Sequence, residues 1–115
     1  EFRGRFGHHL LFANAEVVEG GAERFESVAN ALARIGSEAD LVAVHDAVRP
    51  LTPPPLIDAV FAAAAGHGAA MLAVPLADTL KQVDAANRVT ETVPRAGLWQ
   101  AQTPQVFRRD WLTEA

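Results

Sequence analysis

The chain has no cysteine, which excludes disulfides and thiolate metal sites and fits a reducing compartment. No segment approaches the ~18 to 20 consecutive apolar residues of a membrane span. The longest small apolar run, Val60–Ala65, is rich in alanine and is stopped by Gly66. The charged, apolar and cleavage regions of a signal peptide are also missing. Lysine is nearly absent: Lys81 stands alone against nine arginines. Together with the abundant alanine this points to GC-rich codon usage, so each arginine carries less functional weight than in a lysine-rich protein. The net charge of −4 argues against a general nucleic-acid binder. There is no H-E-x-x-H, no phosphate-binding G-x-x-x-x-G-K-[ST], no G-x-G-x-x-G and no evident Ser/His/Asp set. Covalent catalysis therefore has no obvious candidate. The only methionine is Met71 and residue 1 is Glu1, so the expectation is a processed chain or part of a longer one.

What is present reads as α/β. Leu10–Phe12 and Glu16–Val18 are expected as short strands, after a charged segment Glu1–Gly7 with no clear period. Beyond Gly20-Gly21, the spacing of Val28, Ala31, Leu32 and Ile35 marks one helix face, with Gly36 as its stop. Leu41–His45 is nearly continuous in β-formers, as for a parallel strand covered on both faces. Thr52 is the expected cap of a second helix, with Pro53–Pro55 in its approach and first turn and a stripe of Leu56, Ile57, Val60, Phe61 and Ala64. Ala70–Val74 reads as a second buried strand, completing a right-handed βαβ unit. From Leu76 the helical period is lost. Val83 and Val89 flank a turn-like Asp84-Ala85-Ala86-Asn87, which predicts a two-stranded ribbon. Such a ribbon is marginal alone and should rest on its own domain or on a second subunit. Phe107–Ala115 reads as the start of a helix.

Four segments carry chemistry. GGAERFESV places Gly21 before a helix N-terminus with the Ser27 hydroxyl nearby, suited to an anion or a base edge, or simply to a Gly-Gly turn whose Glu23 and Glu26 favour the helix dipole. In VHDAVRP, a strand stops at Asp46 and Arg49 follows three residues on. Ligands of open α/β sheets bind beyond the carboxyl ends of strands. Asp46 suits Mg²⁺ and Arg49 can grip a phosphate, or the two can form an ordinary turn salt bridge. His45 is read as structural. VPLADTLK and TVPRAG set Thr79, Lys81 and Arg95 on the ribbon, as a phosphate grip or as a solvated edge of mixed charge. LWQAQTPQVF offers Gln102, Thr103 and Gln105 between aromatic anchors, or is a packed loop. Anion-binding groups without a nucleophile favour phosphoryl or nucleotidyl transfer, where positioning and charge neutralisation dominate.

GGAERFESV, VHDAVRP, VPLADTLK and TVPRAGLWQAQTPQVF, in this order, resemble the 2-C-methyl-D-erythritol 4-phosphate cytidylyltransferase family from Val17 onward. The resemblance implies part of the Rossmann-like nucleotide-diphospho-sugar transferase fold, as one partial catalytic domain over 1–115. A protruding β-arm at 76–97 would serve in homodimerisation. It implies a bacterial, cytoplasmic enzyme of non-mevalonate isoprenoid synthesis, with CTP and methylerythritol phosphate as substrates and Mg²⁺ as cofactor, acting on neither membranes nor nucleic acid. Gly21 and Ser27 would line the cytidine site. Asp46 would bind the metal, with Arg49 beside it. Thr79 and Arg95 would reach into the partner's active site, where Arg95 would position the sugar phosphate, and Thr103 would help bind it. Ala22 stands where some members carry Asp, and Val48 where the residue is often small. The family's N-terminal Gly-rich loop and C-terminal Lys-bearing segment have no counterpart in these residues, so little or no activity is expected of them alone. A cytidylyltransferase for another polyol phosphate, such as ribitol 5-phosphate, and a non-catalytic dimerisation or binding fragment are the alternatives.

Overall fold

The computed structural model describes residues 2–115. Two compact units divide the chain, residues 1–39 and 40–115.

The first unit is helical. Helix α1 spans Phe2–Phe12 and helix α2 spans Arg24–Leu32. The strand expected at Leu10–Phe12 is instead the last turn of α1, and Glu16–Val18 is extended but belongs to no sheet; Glu1 lies outside the described residues. Two glycines interrupt α1 and no apolar stripe runs along it, so periodicity gave no sign of a helix. Its end is marked by Asn14 in the left-handed region (φ 50°), while the Ala15 N–H donates to the Leu10 carbonyl at 2.8 Å. Helix α2 starts where the glycines place it but ends at Leu32, four residues before Gly36. The Arg34 guanidinium beyond it pairs with Glu16 at 2.6 Å.

The second unit is a three-stranded sheet with helix α3, Pro54–His67, on it. Its strands are β1 (Leu41–Val44), β2 (Ala69–Pro75) and β5 (Trp99–Arg108), in the order β1-β5-β2. β1 and β2 run parallel, as the expected βαβ unit requires, but they are not neighbours: β5 lies between them and is antiparallel to both. The segment around Gln102, for which a packed loop was one of two readings, is thus the central strand. Phe107, expected to open the last helix, still belongs to that strand, which ends at Arg108, and the short α4 (Arg109–Glu114) follows.

Proline is normally kept out of central strands because it cannot donate to the ladder. Pro104 is tolerated because the ladder lapses around it. The β2 register passes from Met71↔Gln105 to Ala73↔Ala101, and the β1 pairing ends at Val44↔Gln105. Residues 102–104 therefore bulge away from both neighbours, and a bulge of this kind re-aims side chains.

Prolines also explain the start of α3. Pro54 and Pro55 have no N–H to satisfy, so no capping side chain is needed. Thr52 does not cap as expected, and its hydroxyl instead donates to the Arg49 carbonyl at 3.3 Å. The helix runs past Gly66 and stops at Gly68 (φ 88°), where a side chain would meet the Trp111 ring. Val60 and Ala64 of its stripe are buried against Val106 of β5, with Leu41, Phe61, Ala70 and Leu72 around them. In β2, Ala70 and Leu72 are half-buried while Met71 and Ala73 are exposed. Within this unit the strand is therefore covered on one face, where two-sided burial was expected.

Strands β3 (Leu80–Val83) and β4 (Val89–Val93) form the ribbon, which continues the β2–β5 pair beyond Pro75↔Trp99. Its turn is built around Asp84. One carboxylate oxygen accepts from the Ala86 and Arg88 N–H groups at 2.9 and 3.0 Å, and the other from Arg88 Nε at 2.9 Å. Asn87 takes the left-handed position (φ 60°). The Arg88 amide bond first, then the Arg88 guanidinium, hold the Asp84 carboxyl below the ordinary carboxylate range. A depressed folded-state pKa stabilises the turn above the unfolded value and loses that contribution as the pH falls through the folded one. The protection of the Ala86 and Arg88 amides, measured as exchange relative to an unstructured peptide at the same pH, is therefore expected to fall as the pH drops below the ordinary carboxylate range. Asp84→Asn should show the faster exchange already at neutral pH; equal protection in both proteins would refute the role.

Candidate active site

β1 ends at Val44, and the chain then turns through residues 45–52 into α3. The turn is tied by its own atoms. The Arg49 N–H donates to the Asp46 carbonyl at 3.0 Å, and the Arg49 carbonyl lies 3.1 Å from His45 Nε2. His45 is thus structural, but as an exposed brace of the turn and not as a core residue.

Two residues of the β5 bulge fasten this turn to the sheet. The Thr103 hydroxyl accepts the Asp46 N–H at 3.0 Å, and Thr103 is only 4% exposed. The Gln102 side-chain oxygen accepts from Arg49 Nη1. Arg49 Nε also donates to Asp46 Oδ2 at 3.3 Å. A carboxylate, a guanidinium and a buried hydroxyl thereby meet at the carboxyl end of β1.

Arg49 and Thr103 border an open cavity of about 670 Å³, and Asp46 stands behind Arg49, outside the lining. Arg49, Gln102 and Thr103 form its polar side, and Leu56, Leu72 and Val74 an apolar wall. Val48 and Leu51 stand on the rim, 86% and 88% exposed. Such a cavity suits a small anion with a carbon skeleton.

The other expected site residues lie elsewhere. Thr79 precedes β3 and is exposed, and the Arg95 guanidinium at the end of the ribbon donates to the Ala77 carbonyl. Neither lines the cavity. Lys81 is bonded across the ribbon to the Thr92 hydroxyl. In the first unit, Gly21 and Ser27 do come together: the Gly21 N–H donates to the Ser27 hydroxyl at 2.9 Å. The next two amides, Ala22 and Glu23, donate to the Glu26 carboxylate at 2.6 and 3.1 Å. The start of α2 is therefore closed by its own side chains, with Glu23 and Glu26 in a capping box.

The sequence offered Gln102 as a polar group beside Thr103 but did not pair it with Arg49. The signal for the bulge that joins them is two polar residues beside a proline in an otherwise apolar strand.

Fold and site together define an α/β protein with a carboxylate, a guanidinium and a buried hydroxyl gathered at a strand end. The chain belongs to the 2-C-methyl-D-erythritol 4-phosphate cytidylyltransferase family, whose model matches residues 3–115. It is 55% identical over 107 residues to the cytidylyltransferase of that name from Frankia casuarinae, covering 92% of this chain and 40% of the relative. The Dechloromonas aromatica protein of the same name is 53% identical, with 96% and 51% covered. Among solved structures, the Thermus thermophilus cytidylyltransferase superposes with a TM-score of 0.76 at 38% identity, over 87% of this chain and 48% of that one. The Anaerococcus prevotii 4-diphosphocytidyl-2C-methyl-D-erythritol synthase gives 0.82 at 26% identity, over 99% and 52%. The fold is accordingly α/β, a part of the Rossmann-like fold of these nucleotidyltransferases. The chain spans about half or less of the length of these relatives. No helix among the described residues is long and apolar enough to cross a membrane.

Proposed function

We propose that this chain provides the sugar-phosphate half of a cytidylyltransferase site, in an enzyme that transfers CMP from CTP to 2-C-methyl-D-erythritol 4-phosphate in isoprenoid precursor synthesis. The observation that carries the reading is that Arg49 and Thr103, both bonded to Asp46, line the polar side of a cavity with an apolar wall. A methylated polyol phosphate has both features that such a cavity would recognise.

A phosphate oxygen of the polyol attacks the α-phosphorus of CTP, a new P–O bond forms, and the α–β bridging bond breaks with its electron pair leaving on pyrophosphate. The attacking oxygen is already anionic near neutral pH, so no general base is required. Arg49 binds the polyol phosphate through the N–H groups not engaged by Asp46 and Gln102, and the Thr103 hydroxyl can donate to the same ligand while accepting from the Asp46 amide. Cationic groups offset the charge that spreads in the transition state.

Among the described residues no three His, Asp or Glu side chains cluster. Asp46 as a lone hard-oxygen ligand fits Mg²⁺, which takes few carboxylates and draws on substrate phosphates and water. When bound, that ion would neutralise phosphate charge. Gly21 and Ser27 are assigned to the cytidine by resemblance. Thr79 and Arg95, which stand on the ribbon and not at the cavity, are assigned to the active site of a second subunit. A bacterial cytoplasm is the compartment in which both substrates would be met.

The test is an assay of the full-length protein carrying this sequence with CTP, Mg²⁺ and either methylerythritol 4-phosphate or ribitol 5-phosphate. Pyrophosphate release with the first substrate supports the reading. Release with ribitol 5-phosphate alone moves it to the second substrate, and release with neither overturns it.

A further inference from the structure

We infer that Gln102 is a positioning residue, whose side-chain oxygen fixes the Arg49 guanidinium relative to the sheet without cancelling its charge. The inference rests on the proposed reading only for the identity of the anion that Arg49 binds.

Arg49 sits on a turn and not on a strand, and a free arginine side chain loses rotamer entropy when it is fixed. Two acceptors hold it here. Asp46 Oδ2, at 3.3 Å from Nε, lies three residues away on the same turn and would move with it. Gln102, which accepts from Nη1, lies 53 residues away on the central strand. Of the two, only Gln102 refers the guanidinium to the sheet. The next residue, Thr103, does the same for the turn's backbone through the Asp46 amide. Consecutive residues of one bulge therefore register the side chain and the main chain of the anion-binding turn.

The chemistry of the pair favours glutamine. Arginine has only donors, so the Gln102 amide must present its oxygen to Nη1. A glutamate there would hold the fork equally well, but with Asp46 already beside Arg49 it would make the cluster net negative and repel a phosphate. A neutral acceptor fixes the geometry and leaves the potential intact.

The test uses the full-length protein with Gln102→Leu, Gln102→Glu and Arg49→Ala, alone and combined. Two signals are read: the nitrogen-15 NMR cross-peaks of the Arg49 Nη–H groups, and kcat/KM for methylerythritol 4-phosphate. In Gln102→Leu the Nη–H exchange with water and the rotation of the guanidinium should accelerate and kcat/KM should fall about 10- to 100-fold. In Gln102→Glu the Nη–H signals should stay protected while kcat/KM still falls, which separates placement from charge and controls for misfolding. In the Arg49→Ala background, Gln102→Leu should change kcat/KM by less than about twofold, because its effect runs through Arg49. Unchanged Nη–H exchange in Gln102→Leu, or effects that multiply fully in the Arg49→Ala background, would overturn the inference. If the wild-type protein shows no cytidylyl transfer, the proposed function fails, and the Nη–H signals still decide the role of Gln102.

Discussion

Arg49→Ala, made in the full-length protein, should lower kcat/KM for the sugar phosphate about 100- to 1,000-fold, the usual cost of removing a preorganised donor to transition-state charge. The Asp46 pair by itself predicts no such loss. Both side chains of that ion pair are partly exposed, 40% and 31%, and exposed pairs contribute at most about 1 kcal/mol. The melting temperature should consequently change little. Arg49→Lys is not expected to rescue turnover. An ammonium is a point charge and cannot bond Asp46, Gln102 and a phosphate from three sides of a planar fork. Steady-state kinetics beside a thermal melt separate the two roles: a large fall in Tm with kcat/KM intact in the surviving enzyme would make Arg49 a structural residue only.

Arg95→Ala should depress turnover by a similar factor with no loss of folding, since Arg95 is exposed on a ribbon whose strands pair mainly with each other. The larger claim is that Arg95 acts in the site of a second subunit. Mixing Arg95→Ala protein with Arg49→Ala protein tests it. If each symmetric dimer draws Arg49 from one chain and Arg95 from the other, half the dimers are mixed and one of their two sites is intact. Activity should then return to about a quarter of wild type, from two proteins that are inactive alone. No recovery after subunit exchange would place Arg95 in its own chain's site, or in none.

Local features were legible wherever a few neighbouring residues decide the outcome. The glycines at 20–21 set the start of α2, and Pro54 and Pro55 the start of α3. The ribbon turn was visible because Asp84 and Asn87 suit the hydrogen-bonding and left-handed positions of a short turn. Helix α1 was not visible, because Gly4 and Gly7 weaken its local preference and its apolar residues show no helical period. β5 was not visible either, since Pro104 and the interspersed glutamines break the pattern of a buried strand. The burial expected from the apolar runs of β1 and β2 was only half met, because within this unit α3 covers one face of the sheet.

The site divides in the same way. By itself the sequence determined that Asp46 and Arg49 follow a strand end three residues apart, and its four motifs in order determined the family. Only the tertiary structure decided what surrounds the pair. It inserted β5 between β1 and β2, let the ladder lapse at 102–104, and so brought Thr103 to the Asp46 amide and Gln102 to the Arg49 guanidinium across more than fifty residues of chain. It also kept Thr79 and Arg95 on the ribbon, away from the cavity. The physical reason is range. A turn or cap is settled by hydrogen bonds within a few residues, whereas the partner of a strand is chosen by the whole ladder and the burial it permits.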